Sequence, residues 1–308
     1  MINFRKHPGI SKVVIPNSVN LTNTVFSNAF YNMKYLVSTN LHENVTDISS
    51  AYVNCYNLTT AVCGNNVTNM SSTYYWCNKL TTPVCGPNVT NMASAYSGCN
   101  NLTTAVCGNN VTDMNATYRD CNKLTTPVCG PNVVYMSYAY ERCTNLTTAV
   151  CGNNVTTIYG AYNGCANITM AVCGNKVADM KYAYVNCRNL TTAACGPNVT
   201  NLKSAYYNST NICGNAYFYS TKIANIQGCF YNRNTSKMLN IYVPSGSTTN
   251  TVAHYNNTSS FVNAAMTWTT DTANNCSYNT QYNIYIYPVA NVEAVRIANG
   301  DPNNMGVI

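Results

Sequence analysis

The sequence predicts an α/β repeat solenoid, a stack of 22-residue turns with a small β-rich cap at its C-terminal end. Three observations support this fold class. Two series of cysteines recur every 22 residues, valine, leucine, methionine and tyrosine positions recur with the same step, and the period is lost after residue 243. A constant period of about 20 to 50 residues is typical of repeat architectures, in which each unit packs only against its neighbours.

Most of the 17 cysteines define this period. The first cysteine series is Cys55, Cys77, Cys99, Cys121, Cys143, Cys165 and Cys187, and the second cysteine series is Cys63, Cys85, Cys107, Cys129, Cys151, Cys173 and Cys195. Met33 and Leu41 occupy the corresponding places in the first turn, so we expect both series to form a structural core ladder of small buried thiols. Disulfides within one turn remain an alternative. The spacings of 8 and 14 residues match no zinc pattern, and no metal is expected.

Within one turn, a strand is expected to alternate with a return segment. Residues 59–63 favour a short strand, with Thr59 on one face and Thr60 on the other, and Gly64 begins the turn that follows. The apolar residues of the return segment recur at three- and four-residue spacing, which predicts a short helical or 3₁₀ segment. These residues are Val67, Met70, Tyr74 and Cys77.

Charged residues support direct stacking of successive turns. Arg119 and Asp120 lie one 22-residue step before Glu141 and Arg142. Stacking in register therefore places opposite charges side by side in both pairs. If neighbouring turns behave like neighbouring strands, each pair contributes about 0.2–1 kcal/mol.

The chain is divided into three regions by its periodicity. Residues 1–22 are expected to form an N-terminal cap, 23–243 the solenoid, and 244–308 a β-rich C-terminal cap or docking module. In the last region, residues 282–287 and 292–297 favour strands, and Trp268 is the one large anchor.

The composition disfavours several classes of function. Only 8% of the residues are charged, and the net charge of +7 is not clustered, so no nucleic-acid binding is expected. No apolar run approaches the length of a membrane span, and the N-terminus lacks the apolar segment of a signal peptide. Asp47, Asp113 and Asp179 share one phase but are three turns apart, beyond the roughly 5–9.5 Å of a glycosidase pair. We therefore expect no enzyme and no cofactor.

Several phrases of the sequence carry a family resemblance. Ile15-Pro16-Asn17-Ser18-Val19 is followed by Asn28-Ala29-Phe30, and later turns keep Val89-Thr90-Asn91-Met92, Ala95-Tyr96 and Cys99-Asn100-Asn101-Leu102. These phrases resemble the BspA-like leucine-rich repeat family, and the Val-Thr-x-Met phrase is also similar to repeats of mycoplasma-type surface lipoproteins. The resemblance covers about residues 10–243. It implies a leucine-rich-repeat fold and a role in surface recognition or adhesion, without catalytic residues.

The expected function is therefore non-catalytic binding or assembly. The possible binding face is a row of threonines on the predicted strands: Thr60, Thr82, Thr104, Thr126, Thr148 and Thr192. We expect a bacteriophage virion surface component, such as a tail, fibre or baseplate-associated protein, within a larger or homo-oligomeric assembly. Its partners would be other structural proteins, or a host surface protein or polysaccharide. A cell-surface adhesin of a bacterium or protist is the alternative, and an ice-binding solenoid a minor one, since regular hydroxyl rows can order water.

Overall fold

The computed structural model describes residues 4–7, 9–21, 24–245, 269–271, 276–281 and 283–300. It contains two compact units, Met1–Leu146 and Thr147–Ile308. In each unit, residues one repeat apart lie side by side, and the bridges between them are parallel. The predicted repeat fold is confirmed. We call each repeat a rung. The step between rungs lengthens from 22 to 24 residues between Asn201 and Asn225, in the region of Cys213, which falls outside both 22-residue cysteine series.

Regular secondary structure is sparse within the described residues. The strands are β1 (Lys12–Val13), β2 (Ser38–Thr39), β3 (Ala194–Cys195), β4 (Gly214–Phe218), β5 (Leu239–Pro244), β6 (Thr269–Asp271), β7 (Cys276–Asn279) and β8 (Ile284–Val289), and the helix is α1 (Val292–Ala298). In the first unit, β1 and β2 pair in parallel. In the second unit, the sheet order is β3-β4-β5-β8-β7-β6. Its pairs are parallel from β3 to β8 and antiparallel from β8 to β6.

The return segment is a run of separate turns, so the predicted helical or 3₁₀ segment is wrong. Around Tyr74, alternate backbone N–H groups bond in different directions. Those of Thr73, Tyr75 and Cys77 donate to carbonyls three residues earlier, over 3.0–3.3 Å, as in a 3₁₀ turn. Those of Met70, Ser72, Tyr74 and Trp76 instead donate to the next rung, over 2.8–2.9 Å. Because every second donor leaves the rung, no helix can propagate.

Two left-handed residues per rung produce this alternation. In the rung of Tyr74 they are Ser72, with φ 54°, and Trp76, with φ 60°. The same pair of positions, four residues apart, has positive φ in the neighbouring rung at Ser94 and Gly98. Glycine, asparagine and aspartate adopt this conformation most readily. A tryptophan at this position is unexpected, because a bulky residue with positive φ has a strained backbone.

The predicted strand at residues 59–63 also differs from expectation. Thr59 and Thr60 are both exposed rather than on opposite faces, and no regular strand is assigned there. The Tyr74 hydroxyl occupies both polar backbone groups of Val62, accepting from its N–H and donating to its carbonyl. This contact is also compatible with a strand, because the Tyr206 hydroxyl bonds both polar backbone groups of Ala194 within β3. At β2, the Tyr52 hydroxyl bonds the Thr39 side chain instead, and Thr39 pairs with Val13 of β1.

An aromatic column runs through the core of each unit. In the first unit, rings stack at centroid distances of 4.9–5.7 Å, in the order Phe4, Phe30, Tyr52, Tyr74, Tyr96, Tyr118 and Tyr140. In the second unit, Tyr162, Tyr184, Tyr206 and Phe230 stack at 5.4–5.6 Å. All these rings except Phe4 are buried. Stacked aromatic pairs add about 0.5–1.5 kcal/mol each beyond the area they bury.

The C-terminal region contains one confirmed and one wrong prediction. The run predicted as a strand at 282–287 is found as β8, whereas residues 292–297 form helix α1. Asn291 caps this helix by accepting the Ala294 N–H, and Glu293 pairs with Arg296 one turn later. Helix capping and the i,i+3 pair outweigh the β-branched composition. Trp268 lies outside the described residues. None of the described helices is long and apolar enough to cross a membrane.

Candidate binding surface

The first cysteine series provides small hydrogen-bond donors inside the core. Its thiols bond the carbonyl of the aromatic residue of the preceding rung, as Cys77 does with Tyr52 over 3.0 Å and Cys99 with Tyr74 over 3.0 Å. Ser209 stands at the same place in its rung, and its hydroxyl donates to the Tyr184 carbonyl over 2.7 Å. Sulfur and oxygen can therefore both supply the donor here, whereas Met33, at the same place in the first turn, is buried without a donor group.

The second cysteine series lies closer to the surface. Cys151, Cys173 and Cys195 are buried, but Cys63, Cys85, Cys107 and Cys129 are half-buried, which departs from the fully buried ladder expected for them. Burial raises the pKa of Cys63 to about 11, an effect that the Gly86 N–H partly offsets. The cysteines of both series form no disulfides in the structure.

Close contact between rungs explains the glycines that follow the later cysteines of this series, from Gly86 onward. A β-carbon built on Gly86 would lie 2.7 Å from the Gly64 carbonyl oxygen and 2.9 Å from Cys63 Sγ. Gly130 meets Gly108 and Cys107 at 2.9 and 2.8 Å in the same way. Only glycine fits this approach without displacing backbone.

The threonines predicted as a binding face do lie at the surface. Thr60, Thr82, Thr104, Thr126 and Thr148 are exposed, and within the described residues their hydroxyls form no hydrogen bond. Thr192 differs, because it is half-buried and its hydroxyl accepts the Ala171 N–H over 3.1 Å. In the adjacent row, the Thr59 hydroxyl already donates to the Val37 carbonyl over 3.2 Å.

Exposed aromatic side chains form a second surface feature that the sequence analysis missed. Tyr75 and Trp76 are 36% and 37% exposed, and their rings meet edge to face at 6.3 Å. The indole of Trp76 lies over Gly98, where a β-carbon would approach it to 2.8 Å. The available signal was a bulky residue at a place where most other rungs have asparagine, aspartate or glycine.

The predicted charge pairs are confirmed. Arg142 forms a bidentate contact with Asp120, with nitrogen–oxygen distances of 2.5 and 2.7 Å. Arg119 Nε lies 2.8 Å from Glu141 Oε2, as an ion pair rather than an aligned hydrogen bond. These carboxylates neutralise arginines and are poorly placed for acid–base chemistry.

The remaining candidate catalytic groups have structural roles. Asp47, Asp113 and Asp179 each accept the backbone N–H two residues later, over 2.7–2.9 Å. His42 is buried and its ring contacts the Val19 carbonyl at 3.0 Å. Among the described residues, no cluster of three or more histidine, cysteine, aspartate or glutamate side chains could hold a metal.

Comparisons with known proteins point to one family. The sequence matches the family described as "BspA type Leucine rich repeat region", with six copies, over residues 3–125 and 114–240. It is similar to the crystal structure of a leucine-rich repeat protein from Bacteroides ovatus, with a TM-score of 0.53 and 15% identity over 75% of this chain. The chain covers 63% of the length of that protein. No curated protein matches the sequence.

Two further crystal structures are less similar. One is a leucine rich repeat protein from T. pallidum, with a TM-score of 0.45 and 22% identity, covering 51% of this chain and 78% of that one. The other is a leucine rich cell surface protein from Faecalibacterium prausnitzii, with a TM-score of 0.40 and 16% identity, covering 78% of this chain and 89% of that one.

Proposed function

The chain belongs to the BspA-type leucine-rich repeat family, and from that premise we propose that it is a non-catalytic binding protein. Its ligand contacts the threonine face of the first unit, which consists of Thr60, Thr82, Thr104 and Thr126. The ligand is an uncharged chain with a repeating structure, such as a surface polysaccharide, or an extended segment of a host surface protein.

The unbonded row of threonine hydroxyls is the observation that carries this proposal. These four residues lie in consecutive rungs, are exposed, and within the described residues have no hydrogen bond at the hydroxyl. Parallel neighbours in a sheet are about 4.8 Å apart, which gives hydroxyls at regular intervals. Each hydroxyl can both donate and accept a hydrogen bond. A ligand with repeating hydroxyl or amide groups can satisfy several of them at once.

Low charge on the protein favours a neutral ligand. Charged residues make up 8% of the sequence, and the charges of Arg119 and Arg142 are already paired with acidic side chains. Long-range electrostatic attraction therefore contributes little, and affinity depends on hydrogen bonding and contact area. Catalysis is not part of the proposal, because the acidic side chains and His42 have the structural roles described above.

We assign the site of action to a cell surface, as the family resemblance implies, with the virion surface predicted from composition as the competing location. Protease shaving or antibody labelling of intact cells tests the first. Mass spectrometry of purified virus particles tests the second. Detection in particles and absence from cell surfaces would reverse the assignment.

The binding face is tested by replacing Thr60, Thr82, Thr104 and Thr126 together with alanine. We expect at least about tenfold weaker binding to the best ligand from a glycan array or a panel of host surface proteins, since each lost hydrogen bond contributes about 0.5–1.5 kcal/mol.

The matched control replaces Thr68, Thr90 and Thr112 with alanine. These threonines are also exposed, but their hydroxyls donate to backbone carbonyls of the preceding rung. Equal binding by the two variants would overturn the assignment of the face. If a solution of the protein showed thermal hysteresis, and only the substitutions of Thr60, Thr82, Thr104 and Thr126 abolished it, the same face would be reassigned to ice binding.

A further inference from the structure

Four consecutive rungs of the first unit each place a thiol against a thioether. Sγ of Cys63, Cys85, Cys107 and Cys129 lies 3.5–3.6 Å from the Sδ atom of a methionine seven residues later, in the pairs Cys63–Met70, Cys85–Met92, Cys107–Met114 and Cys129–Met136. The methionines are fully buried and the cysteines half-buried. We call this set the sulfur column. The column does not extend to the rung before Cys63, where Leu41 occupies the cysteine position.

The first cysteine of the sulfur column, Cys63, lines a depression that is open to solvent. A surface depression of about 500 Å³ is lined by Cys63 and Gly64, together with Leu41, Glu43 and Asn44. A small cation can enter there past the exposed Glu43 carboxylate and reach the Cys63 sulfur. The other three cysteines are also half-buried, so each pair can be approached from its cysteine side.

We propose that the sulfur column binds soft monovalent metal ions, with Cu(I) as the biological ion and one ion for each cysteine–methionine pair. Thiolate and thioether ligands select Cu(I) over hard cations. With a metal–sulfur bond of about 2.3 Å, as for zinc thiolates, two sulfurs 3.5 Å apart both reach one ion at an S–metal–S angle of about 100°. This angle leaves a further coordination position for solvent or a backbone carbonyl. The site is independent of the proposed threonine face.

Binding exchanges one proton for one metal ion. The Cys63 thiol loses its proton to solvent, its sulfur forms a bond with the ion, and the Met70 thioether donates a lone pair without losing a proton. Because the thiolate replaces the thiol, affinity rises with pH. The backbone also favours the thiolate, because the N–H of the glycine in the following rung faces the sulfur, as that of Gly86 does for Cys63. Hydrogen bonds of this kind stabilise metal-bound thiolates.

The test uses the full-length reduced protein under anaerobic conditions. Cu(I) is titrated in competition with a chromophoric Cu(I) chelator, and native mass spectrometry counts the bound ions. We expect up to four tightly bound ions and release of one proton per ion. The variant with Met70→Leu, Met92→Leu, Met114→Leu and Met136→Leu removes the thioethers and nearly conserves volume. Its affinity should fall at least about tenfold, which is within the range seen when a metal site loses a supporting contact.

The matched control removes thiols from elsewhere in the same rungs. Cys77→Ser and Cys99→Ser remove two thiols of the first cysteine series, at a position where Ser209 occurs naturally. This control should bind Cu(I) with the same stoichiometry and affinity as the original protein. Unchanged binding by the methionine variant, or equal loss in both variants, would show that the thiols bind metal non-specifically and would overturn the proposal. Circular dichroism of each variant establishes that it is folded.

Discussion

The hydroxyl group of Tyr96 forms hydrogen bonds with both backbone polar groups of Val84, accepting from its N–H over 2.9 Å and donating to its carbonyl over 2.6 Å. The same arrangement joins Tyr118 to Val106. A fully buried side chain thus replaces the strand partner that this backbone would otherwise need. The tyrosine column therefore connects the two sides of every such rung.

Tyr96→Phe should destabilise the protein by about 1–3 kcal/mol, because it leaves the N–H and carbonyl of Val84 without their partner in a half-buried place. The ring stack itself is retained. Urea unfolding followed by circular dichroism measures the change as a lower midpoint. Tyr75→Phe is the control, since that ring is exposed and its substitution should shift the midpoint little. Equal midpoints for the two variants would contradict the role assigned to the hydroxyl.

Gly86→Ala should cost about 1–3 kcal/mol, because the new β-carbon meets the Gly64 carbonyl at 2.7 Å and forces the rungs apart. Gly64→Ala is the matched control one rung earlier. There the nearest atom is Leu41 Cδ2 at 3.6 Å, an ordinary contact. We expect this control to be neutral or slightly stabilising, since alanine restricts the unfolded chain. Thermal unfolding of the two variants gives the comparison, and a similar loss in both would rule out the close approach as the cause.

Cysteine alkylation should distinguish the two series and depend on pH. The pKa of Cys63 is raised to about 11 by burial, and only the thiolate reacts. Its reaction with iodoacetamide should therefore be slow at neutral pH and increase about tenfold per pH unit up to that pKa. Cys99, which is buried, should stay unmodified until the protein unfolds. Mass spectrometry of the peptides measures both rates. Disulfides already present in the isolated protein would contradict the prediction that these cysteines are reduced.

Acid should weaken the contact between helix α1 and Tyr219, the residue that follows β4. The hydrogen bond from Arg296, followed by that from the Tyr219 hydroxyl, lowers the pKa of Glu293 from 4.5 to about 2. Ionised Glu293 stabilises this contact above pH 4.5, and the contribution disappears as the pH falls toward 2. The side chain is 45% exposed, so screening keeps the contribution at about 1 kcal/mol or less.

Hydrogen exchange of residues 292–298 measures this effect. Between pH 4.5 and 2, protection of the helix amides should decrease after correction for the intrinsic exchange rate. Glu293→Gln should show lower protection at neutral pH and no further loss on acidification. A variant that keeps the pH dependence of the original protein would assign the effect to a different group.

Periodicity in the sequence predicted the features that depend on stacking alone. The Arg142–Asp120 pair follows directly from a 22-residue step, because side chains in the same phase of successive rungs must be neighbours. The backbone path was less predictable. Three- and four-residue spacing of apolar residues is common to helices and to this run of turns, and the left-handed residues that distinguish them include Trp76, which carries no turn signal.

The binding face was predictable only in outline. A row of threonines was visible in the sequence, but which hydroxyls the scaffold already uses depends on the distance to the preceding carbonyl, as for Thr59. The sulfur pairs were also not predicted. Their seven-residue spacing brings Cys63 and Met70 together only because the intervening Gly64 turn reverses the chain, and residue types alone do not specify that geometry.

The left-handed positions have a consequence for how this scaffold tolerates variation. None of the non-glycine residues at these positions is buried, yet they include Trp76, Tyr138 and Arg142. A bulky residue in this conformation costs about 1–2 kcal/mol, and hydrogen bonds to the adjoining repeats hold it in place. Substitutions at these sites can therefore change the surface side chains of one repeat without changing its buried core or the cores of the adjacent repeats.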